Sequence, residues 1–157
     1  PPDSCLESVN KILVDESLPT MFVTVFYGIF DARNGSFEYC NGGHNPPYLI
    51  SKDGPVRQLE NRGGIFLGCL KNQEYESNVV FLQPGDTLFL YTDGITEAMN
   101  PAEQMFGEKQ TEESLRRHYG EDLNGLVDHV IRDAQAFADT QEQSDDMTCL
   151  ALRYFGK

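Results

Sequence analysis

The chain has 157 residues, 39% of them hydrophobic, and a formal net charge of −13 from 25 acidic and 12 basic residues. This length predicts a single domain, residues 1–157, with a sizeable core. Because phosphate contacts need clustered Lys and Arg, the acidic excess argues against nucleic-acid binding and against docking on an anionic membrane, and no apolar run approaches the roughly 18 residues that span a bilayer.

The first predicted element is a helix based on four apolar residues at helical spacing: Leu6, Val9, Ile12 and Leu13. Asp3 or Ser4 is expected to cap it, and Leu18-Pro19 to end it near Asp15. Residues 21–30 are almost continuously apolar and rich in β-branched and aromatic side chains. This composition predicts a strand that is covered on both faces.

Hairpin-linked strands are predicted for the middle of the chain. Asn34-Gly35 is expected to supply the positive φ of a hairpin turn, and the returning strand places Phe37 and Tyr39 on one face. Pro84-Gly85 fits the central positions of a type II turn. Further strands are predicted over residues 48–50, 56–59, 75–82 and 87–92.

Beyond Asp93 the pattern changes from strand to helix. Asn100-Pro-Ala-Glu103 has the features of a helix start, and this helical segment ends near Gly120. An apolar stripe over 123–137 predicts another helix, and 147–154 a final strand. Strands too apolar to face water, followed by helices, predict an α+β fold of antiparallel sheets covered by helices.

The four cysteines lie far apart and form no C-x-x-C pair: Cys5, Cys40, Cys69 and Cys149. We therefore expect buried, reduced thiols in a cytoplasmic protein and no disulfide framework. His44, His118 and His129 lack zinc-motif spacing, so zinc is not expected, and the last two are predicted to be surface residues on helices.

Two acidic sites lie at predicted strand ends. Asp93 follows an apolar strand, and Asp145-Asp146 precedes one. If these strands are antiparallel neighbours, both sites fall at one sheet edge, where converging carboxylates favour Mg²⁺ or Mn²⁺. Gly94 would allow a close backbone approach, so that its carbonyl could face an ion. The alternative is that Asp93 caps a helix and Asp145-Asp146 is a solvated loop.

Six stretches, in order along the whole chain, resemble the bacterial metal-dependent serine/threonine phosphatases of the PPM (type 2C) family. The closest branch includes the sporulation stage II E protein and stress-response sigma-factor regulators. The stretches are Met21–Thr24, Asn41–Pro47, Gly64–Gly68, Pro84–Ala98, Phe106-Gly107 and Ser144–Thr148.

This resemblance implies a β-sandwich of two antiparallel sheets flanked by helices (α-β-β-α), with a two-metal Mn²⁺ or Mg²⁺ site at one end. It identifies Asp93 and Asp145 as catalytic metal ligands, with Gly94 and Asp146 beside them. It also implies direct attack of a metal-activated water on a phosphoserine or phosphothreonine protein, of the anti-sigma-factor antagonist type. Sensor or receiver domains upstream are common in this branch.

The family's first metal motif, an Asp-Gly before the opening helix whose Asp bridges both metals, is absent from this chain. We therefore expect a domain that lacks its N-terminal strands, binds metal poorly and is nearly inactive alone. An exposed sheet edge would favour dimerisation. The alternative is a non-catalytic module that keeps the fold and binds a signalling partner.

Other residues have open roles. His44 is expected to be a structural corner residue of the Gly-Gly-His-Asn-Pro-Pro turn. Glu97 either orients a metal-bound water or caps a helix. Three arginines could hold a phosphate but are expected to be exposed charges: Arg33, Arg57 and Arg62.

Overall fold

A computed structural model of the chain describes residues 1–16, 21–60, 64–143 and 145–156. The predicted helix end at Leu18-Pro19, together with Arg62 and Ser144, lies outside these residues. The described elements are α1 (Pro2–Glu16), β1 (Val25–Asp31), β2 (Ser36–Gly42), β3 (Tyr48–Ile50), β4 (Val56–Gln58), β5 (Asn78–Phe81), β6 (Thr87–Tyr91), α2 (Asp93–Thr96), α3 (Gly107–His118), α4 (Leu123–Ala138) and β7 (Cys149–Arg153). Of the helices described, none is long and apolar enough to cross a membrane.

The chain divides into two compact units. The first comprises Pro1–Pro46, Glu60–Leu82 and Gly156–Lys157, and the second Pro47–Leu59 and Gln83–Phe155. Each unit contains one antiparallel sheet, with strand order β1-β2-β5 in the first and β4-β3-β6-β7 in the second. Antiparallel sheets with four helices in the described chain confirm the predicted α+β class.

The first unit packs α1 against its sheet through a small apolar core: Leu6, Cys40, Leu67 and Tyr75. Phe37 and Tyr39 are buried on one face of β2, as their alternation predicts. The prediction that strand 21–30 is covered on both faces is wrong, because Tyr27 and Ile29, which lie on one face of β1, are 38% and 48% exposed. The predicted apolar face of α1 is also only partly buried, since Ile12 is 57% exposed.

The turn between β1 and β2 covers residues 32–35, as predicted, but only one of the two residues expected to supply positive φ does so. Gly35 has a positive φ of 75°, whereas Asn34 does not. A four-residue loop closes when the Gly35 N–H donates to the carbonyl of Asp31 at 2.9 Å. The glycine alone therefore supplies the left-handed residue that this four-residue loop needs.

The second unit is built around β6, which pairs with β3 on one side and β7 on the other. Its core contains fully buried side chains from the sheet and from the helices: Tyr48, Phe89, Ile95, Leu115, Leu126, Val130 and Ala134. The α4 members of this set, at 126, 130 and 134, confirm the helical stripe read from the sequence. Asp86 donates from its N–H to the Gln83 carbonyl at 2.9 Å, and Gly85 has φ of 98°, as a type II turn requires.

The prediction that a helix starts at Asn100 is wrong. Asn100 Oδ1 accepts from the N–H groups of Ala102 and Gln104, both at 3.0 Å, and Glu103 has a positive φ of 58°. These bonds close a tight turn instead of a helix, and α3 begins only at Gly107. An Asn side chain binds nearby backbone amides in either setting, so the local pattern does not separate a cap from a turn.

All four cysteines are free thiols, as predicted, but their burial differs. Cys5 and Cys69 are exposed, contrary to the prediction, whereas Cys40 is buried and Cys149 is half-buried. Burial raises the pKa of the Cys40 thiol to about 11 and that of Cys149 to about 12. These two thiols are therefore unreactive at neutral pH.

Candidate metal centre

The pairing of β6 with β7 brings the two predicted acidic sites to one end of the second unit's sheet. The strands are antiparallel, and the last pair in register is Tyr91 with Cys149. Asp93 lies two residues beyond Tyr91, and Asp145-Asp146 lies three to four residues before Cys149. The prediction that both sites fall at one edge is confirmed.

Thr92 links the segment that carries Asp93 to the segment that carries Asp145 and Asp146, just beyond the end of the β6–β7 pair. Its N–H donates to the carbonyl of Thr148 at 3.0 Å. Its Oγ1 donates to the carbonyl of Asp146 at 2.8 Å and accepts from the N–H of Thr148 at 3.0 Å. One side chain therefore fixes the position of the chain that carries Asp145 and Asp146 relative to Asp93.

Thr92→Val tests this bridge, because the substitution keeps the shape of the side chain and removes its hydroxyl. The Thr148 N–H and the Asp146 carbonyl each lose a partner. We expect the free energy of unfolding to fall by about 1–2 kcal/mol, measured by urea denaturation. Thr92→Ser, which keeps the hydroxyl, is the matched control. Equal stability of Thr92→Val and wild type would contradict a structural role for the bridge.

Gly94 lies against the backbone of the opposite segment. A Cβ at this position would lie 2.5 Å from the Asp146 carbonyl oxygen and 2.8 Å from its carbonyl carbon. Real Cβ atoms do not approach backbone this closely, so only glycine fits here. The close approach expected of Gly94 is present, and it is directed at the residues next to Asp145.

Asp93 is the first residue of α2 and is exposed. Thr92 holds the N-cap position, so the interpretation of Asp93 as an N-cap residue is not supported. The Asp93 main-chain carbonyl accepts from the N–H of Glu97 at 2.7 Å and from Thr96 Oγ1 at 3.2 Å. Glu97 is the C-cap of this short helix, and its backbone N–H makes the cap bond.

Asp145 and Asp146 are both exposed. The Asp145 carboxylate accepts from the N–H of Asp146 at 2.7 Å, and its main-chain carbonyl accepts from Gln143 Nε2 at 2.7 Å. With Asp93, these residues offer only oxygen donors, which is the set that Mg²⁺ and Mn²⁺ prefer. The donor chemistry therefore fits such an ion.

The three carboxylates do not converge fully. Within the described ranges, the one group of three His, Cys, Asp or Glu side chains whose ligand atoms all lie within 4.8 Å is a different set, at His118, Glu121 and His129. Asp93, Asp145 and Asp146 thus share one edge through their backbones without forming a closed set of ligands. A cleft of about 160 Å³ lies beside Gly94 and is lined also by Met99, Glu142 and Met147.

The structure also shows the surroundings of the other candidate residues, which are histidines and arginines. The His44 N–H donates to Asn41 Oδ1 at 2.8 Å, and Asn41 Nδ2 donates back to the His44 carbonyl, which fits a corner residue. Arg33 is exposed and paired with Asp31, and Arg57 is exposed on β4. The side chains of His118 and His129 are 19% and 38% exposed, so both lie at the surface on their helices but are partly covered.

The cluster of His118, Glu121 and His129 was missed because its members have no zinc-motif spacing. Their order, H-x-x-E followed eight residues later by His, spans the end of α3 and the first half of α4. A helix end beside a helix start brings them together.

The chain is similar in sequence to one protein family and to individual bacterial proteins. The sequence model of the family described as Stage II sporulation protein E (SpoIIE) matches residues 1–155. Protein IcfG of Synechocystis sp. is 30% identical over 132 residues, which are 84% of this chain and 20% of that protein. Phosphoserine phosphatase RsbU of Bacillus subtilis is 27% identical over 154 residues, 97% of this chain and 45% of that protein. The chain thus spans less than half of either relative.

Solved structures share the fold. The SiaA-PP2C domain of Pseudomonas aeruginosa matches with a TM-score of 0.84 and 20% identity, over 98% of this chain and 61% of that one. The phosphatase domain of SpoIIE from Bacillus subtilis, presoaked with Mn, matches with a TM-score of 0.66 and 18% identity, over 98% of this chain and 66% of that one. At these identities the structures establish the fold alone.

Proposed function

Because this chain belongs to the stage II sporulation protein E (SpoIIE) family, we propose that it carries part of a Mn²⁺- or Mg²⁺-dependent phosphatase that hydrolyses phosphoserine or phosphothreonine on a bacterial signalling protein. The observation that carries the proposal is the pairing of β6 with β7, which brings Asp93 and Asp145-Asp146 to one sheet edge. The relative RsbU is itself a phosphoserine phosphatase.

Asp93 and Asp145 are the proposed metal ligands, with Asp146 and the Gly94 carbonyl as supporting donors. Divalent cations held there would supply Lewis acidity toward the phosphate and acidify the attacking water. Thr92 and Gly94 would act as positioning residues, because they fix the two carboxylate-bearing segments against each other. Further ligands are needed to complete a two-metal site, since each such ion takes about six oxygen donors.

The substrate proposed is a phosphorylated protein of the anti-sigma-factor antagonist type, acted on in the cytoplasm. Its support is the group of relatives: RsbU and RsbP of Bacillus subtilis are phosphoserine phosphatases. In Mycobacterium tuberculosis, Rv1364c contains an RsbU domain and an RsbW domain. Regulation by an upstream sensor or receiver domain, and dimerisation, remain part of the proposal.

The second candidate is a non-catalytic module that binds a signalling partner. It is favoured by one observation: within the described residues, Asp93, Asp145 and Asp146 do not form a closed set of three ligands. This module would bind its partner without a divalent ion.

The deciding experiment is a phosphatase assay of the full-length protein on phosphoserine peptides with and without Mn²⁺. We expect turnover that requires the ion and is lost with a chelator. Turnover that is independent of divalent ions would contradict metal dependence. Absence of turnover on any phosphoserine substrate, with partner binding that needs no ion, would support the binding module.

A further inference from the structure

A compact cluster of imidazole and carboxylate groups joins the end of α3 to the start of α4. His118 Nδ1 lies 2.9 Å from Glu121 Oε1, and His129 Nδ1 lies 2.7 Å from Glu121 Oε2. The two imidazole rings stack with centroids 4.4 Å apart and planes inclined by 7°. Both Nδ1 atoms thus point to the same carboxylate. We propose that His118, Glu121 and His129 form a Zn²⁺ site, separate from the acidic edge at Asp93.

The donor set matches zinc. Two imidazole nitrogens and one carboxylate oxygen are ligands that Zn²⁺ takes in tetrahedral sites, with a fourth position left for water. Zn–N and Zn–O bonds near 2.0–2.2 Å place tetrahedral ligand atoms about 3.4 Å apart. The three ligand atoms all lie within 4.8 Å of one another here. Because zinc lies in the plane of each imidazole that binds it, at least one of the two stacked rings must turn to direct its nitrogen at a shared ion. Partial exposure of all three side chains leaves access for the ion and for the water.

The surroundings hold the ligands in place. A ligating His usually donates its other ring N–H to a carboxylate, which fixes the orientation of the ring. Asp133 Oδ2 lies 3.6 Å from His118 Nε2, which is too long for a hydrogen bond, so the ring must move toward Asp133 to make this contact. Asp133 is fixed in turn by Ser114 Oγ at 2.5 Å and Arg117 Nη2 at 2.9 Å. It is therefore a positioning residue for the site.

Contacts at its main chain and at its side chain fix the position of Glu121 beside the two histidines. Arg153 Nη1 donates to its main-chain carbonyl at 3.1 Å. A Cβ at position 125 would lie 2.7 Å from Glu121 Oε2, so the carboxylate occupies space that only a glycine leaves open. The hydrogen bond from His118, and with it that from His129, lowers the pKa of the Glu121 carboxyl, while burial opposes this change. The carboxylate is thus ionised, as a ligand must be.

The test is titration of the intact chain with Zn²⁺ alone, followed by calorimetry and by the visible spectrum of the Co²⁺ derivative. A second titration adds excess Mg²⁺ as a competitor for the oxygen-only edge, since Mg²⁺ does not favour imidazole ligands. Cys5→Ser/Cys69→Ser is the background, because these exposed thiols would otherwise bind zinc. We expect one Zn²⁺ per chain and the intense Co²⁺ bands of a four-coordinate site.

Variants of the cluster distinguish a loss of zinc binding from a loss of folding. His118→Gln and His129→Gln should each weaken zinc binding by at least about tenfold, and Asp133→Asn by about 10–100-fold. His44→Gln and Asp93→Asn are the matched controls and should bind zinc as the parent does. Gly125→Ala should weaken zinc binding while α4 keeps or gains stability, because alanine favours a helix and displaces only the end of the Glu121 side chain.

Three outcomes would overturn the proposal. These are no zinc binding by the folded parent, zinc binding undiminished in both histidine variants, and histidines that titrate together while taking up no ion. The last outcome would mark the cluster as a proton-binding group. Because the readouts are binding and spectra, failure here leaves the phosphatase proposal unaffected, and failure of the phosphatase assay leaves the zinc site unaffected.

Discussion

Asp93→Asn in the full-length protein is expected to lower Mn²⁺-dependent turnover of a phosphoserine substrate by about a hundredfold or more. Loss of an outer partner of a ligand already costs about 10–100-fold in activity or metal affinity, and the removal of a proposed ligand should exceed that. Asparagine keeps the shape of the side chain but removes its charge. Because Asp93 is exposed and its main-chain bonds to residues 96 and 97 remain, the fold should be unaffected.

The control is Asp128→Asn, the same change at an exposed position of α4. It should leave turnover and the Mn²⁺ concentration for half-maximal activity unchanged. Asp145→Asn and Asp146→Asn measured together decide which of these residues is the ligand, since the ligand should show the larger loss. Wild-type turnover by Asp93→Asn at every Mn²⁺ concentration would remove Asp93 from the site.

Gly94→Ala should lower turnover at least about tenfold and reduce the free energy of unfolding by about 1–3 kcal/mol. The added Cβ would meet the Asp146 carbonyl at 2.5 Å, and backbone cannot move aside as a side-chain end does. The segment that carries Asp145 and Asp146 must therefore shift away from Asp93. The measurement is kcat and KM for Mn²⁺-dependent turnover well below the melting temperature.

Gly120→Ala is the matched control, because a Cβ there meets no atom within 4 Å. It should retain both activity and stability. If Gly94→Ala lost stability but kept full turnover, the close approach would be a packing feature without a role in the site. If it kept both, the two segments would not be constrained as the distances indicate.

The sheet edge could be predicted from the sequence because it depends on strand pairing. An apolar strand that ends in Asp-Gly, and another preceded by Asp-Asp, specify one edge once the strands are neighbours and antiparallel, and β6 and β7 are. The bridge made by Thr92 was not predictable. Its hydroxyl contacts the backbone of residues 146 and 148, and such a contact depends on the register of the pair.

The histidine cluster and the Asn100 turn, in contrast, could not be predicted from the sequence. His118, Glu121 and His129 meet because one helix ends where another begins, which local spacing does not record. At Asn100, the same side-chain chemistry serves a cap or a turn, and the positive φ of Glu103 decides for the turn. The burial of β1 is likewise not predictable, since an apolar composition does not reveal whether both faces of a strand are covered, and Ile29 is exposed.

Asp86 and Asp93 lie at the two ends of the same strand, β6, and have different surroundings. Its buried carboxylate accepts from the N–H groups of Lys52 at 3.1 Å and Gln83 at 2.8 Å. This aspartate fastens the start of β6, whereas Asp93 beyond the end of the strand is exposed and available to a ligand. Resemblance to a family motif does not distinguish the two, but their hydrogen bonds do.

The pairing of β6 with β7 also separates two kinds of donor in space. The pair runs from Thr87–Arg153 to Tyr91–Cys149, about 13 Å at the usual rise per residue. Arg153 ties one end to the loop that carries Glu121, and the carboxylates lie beyond the other end. If both proposed sites bind ions, zinc is expected at the imidazoles and manganese at the oxygens, by ligand preference. Trace zinc would then register as added thermal stability while the manganese dependence of turnover stayed the same.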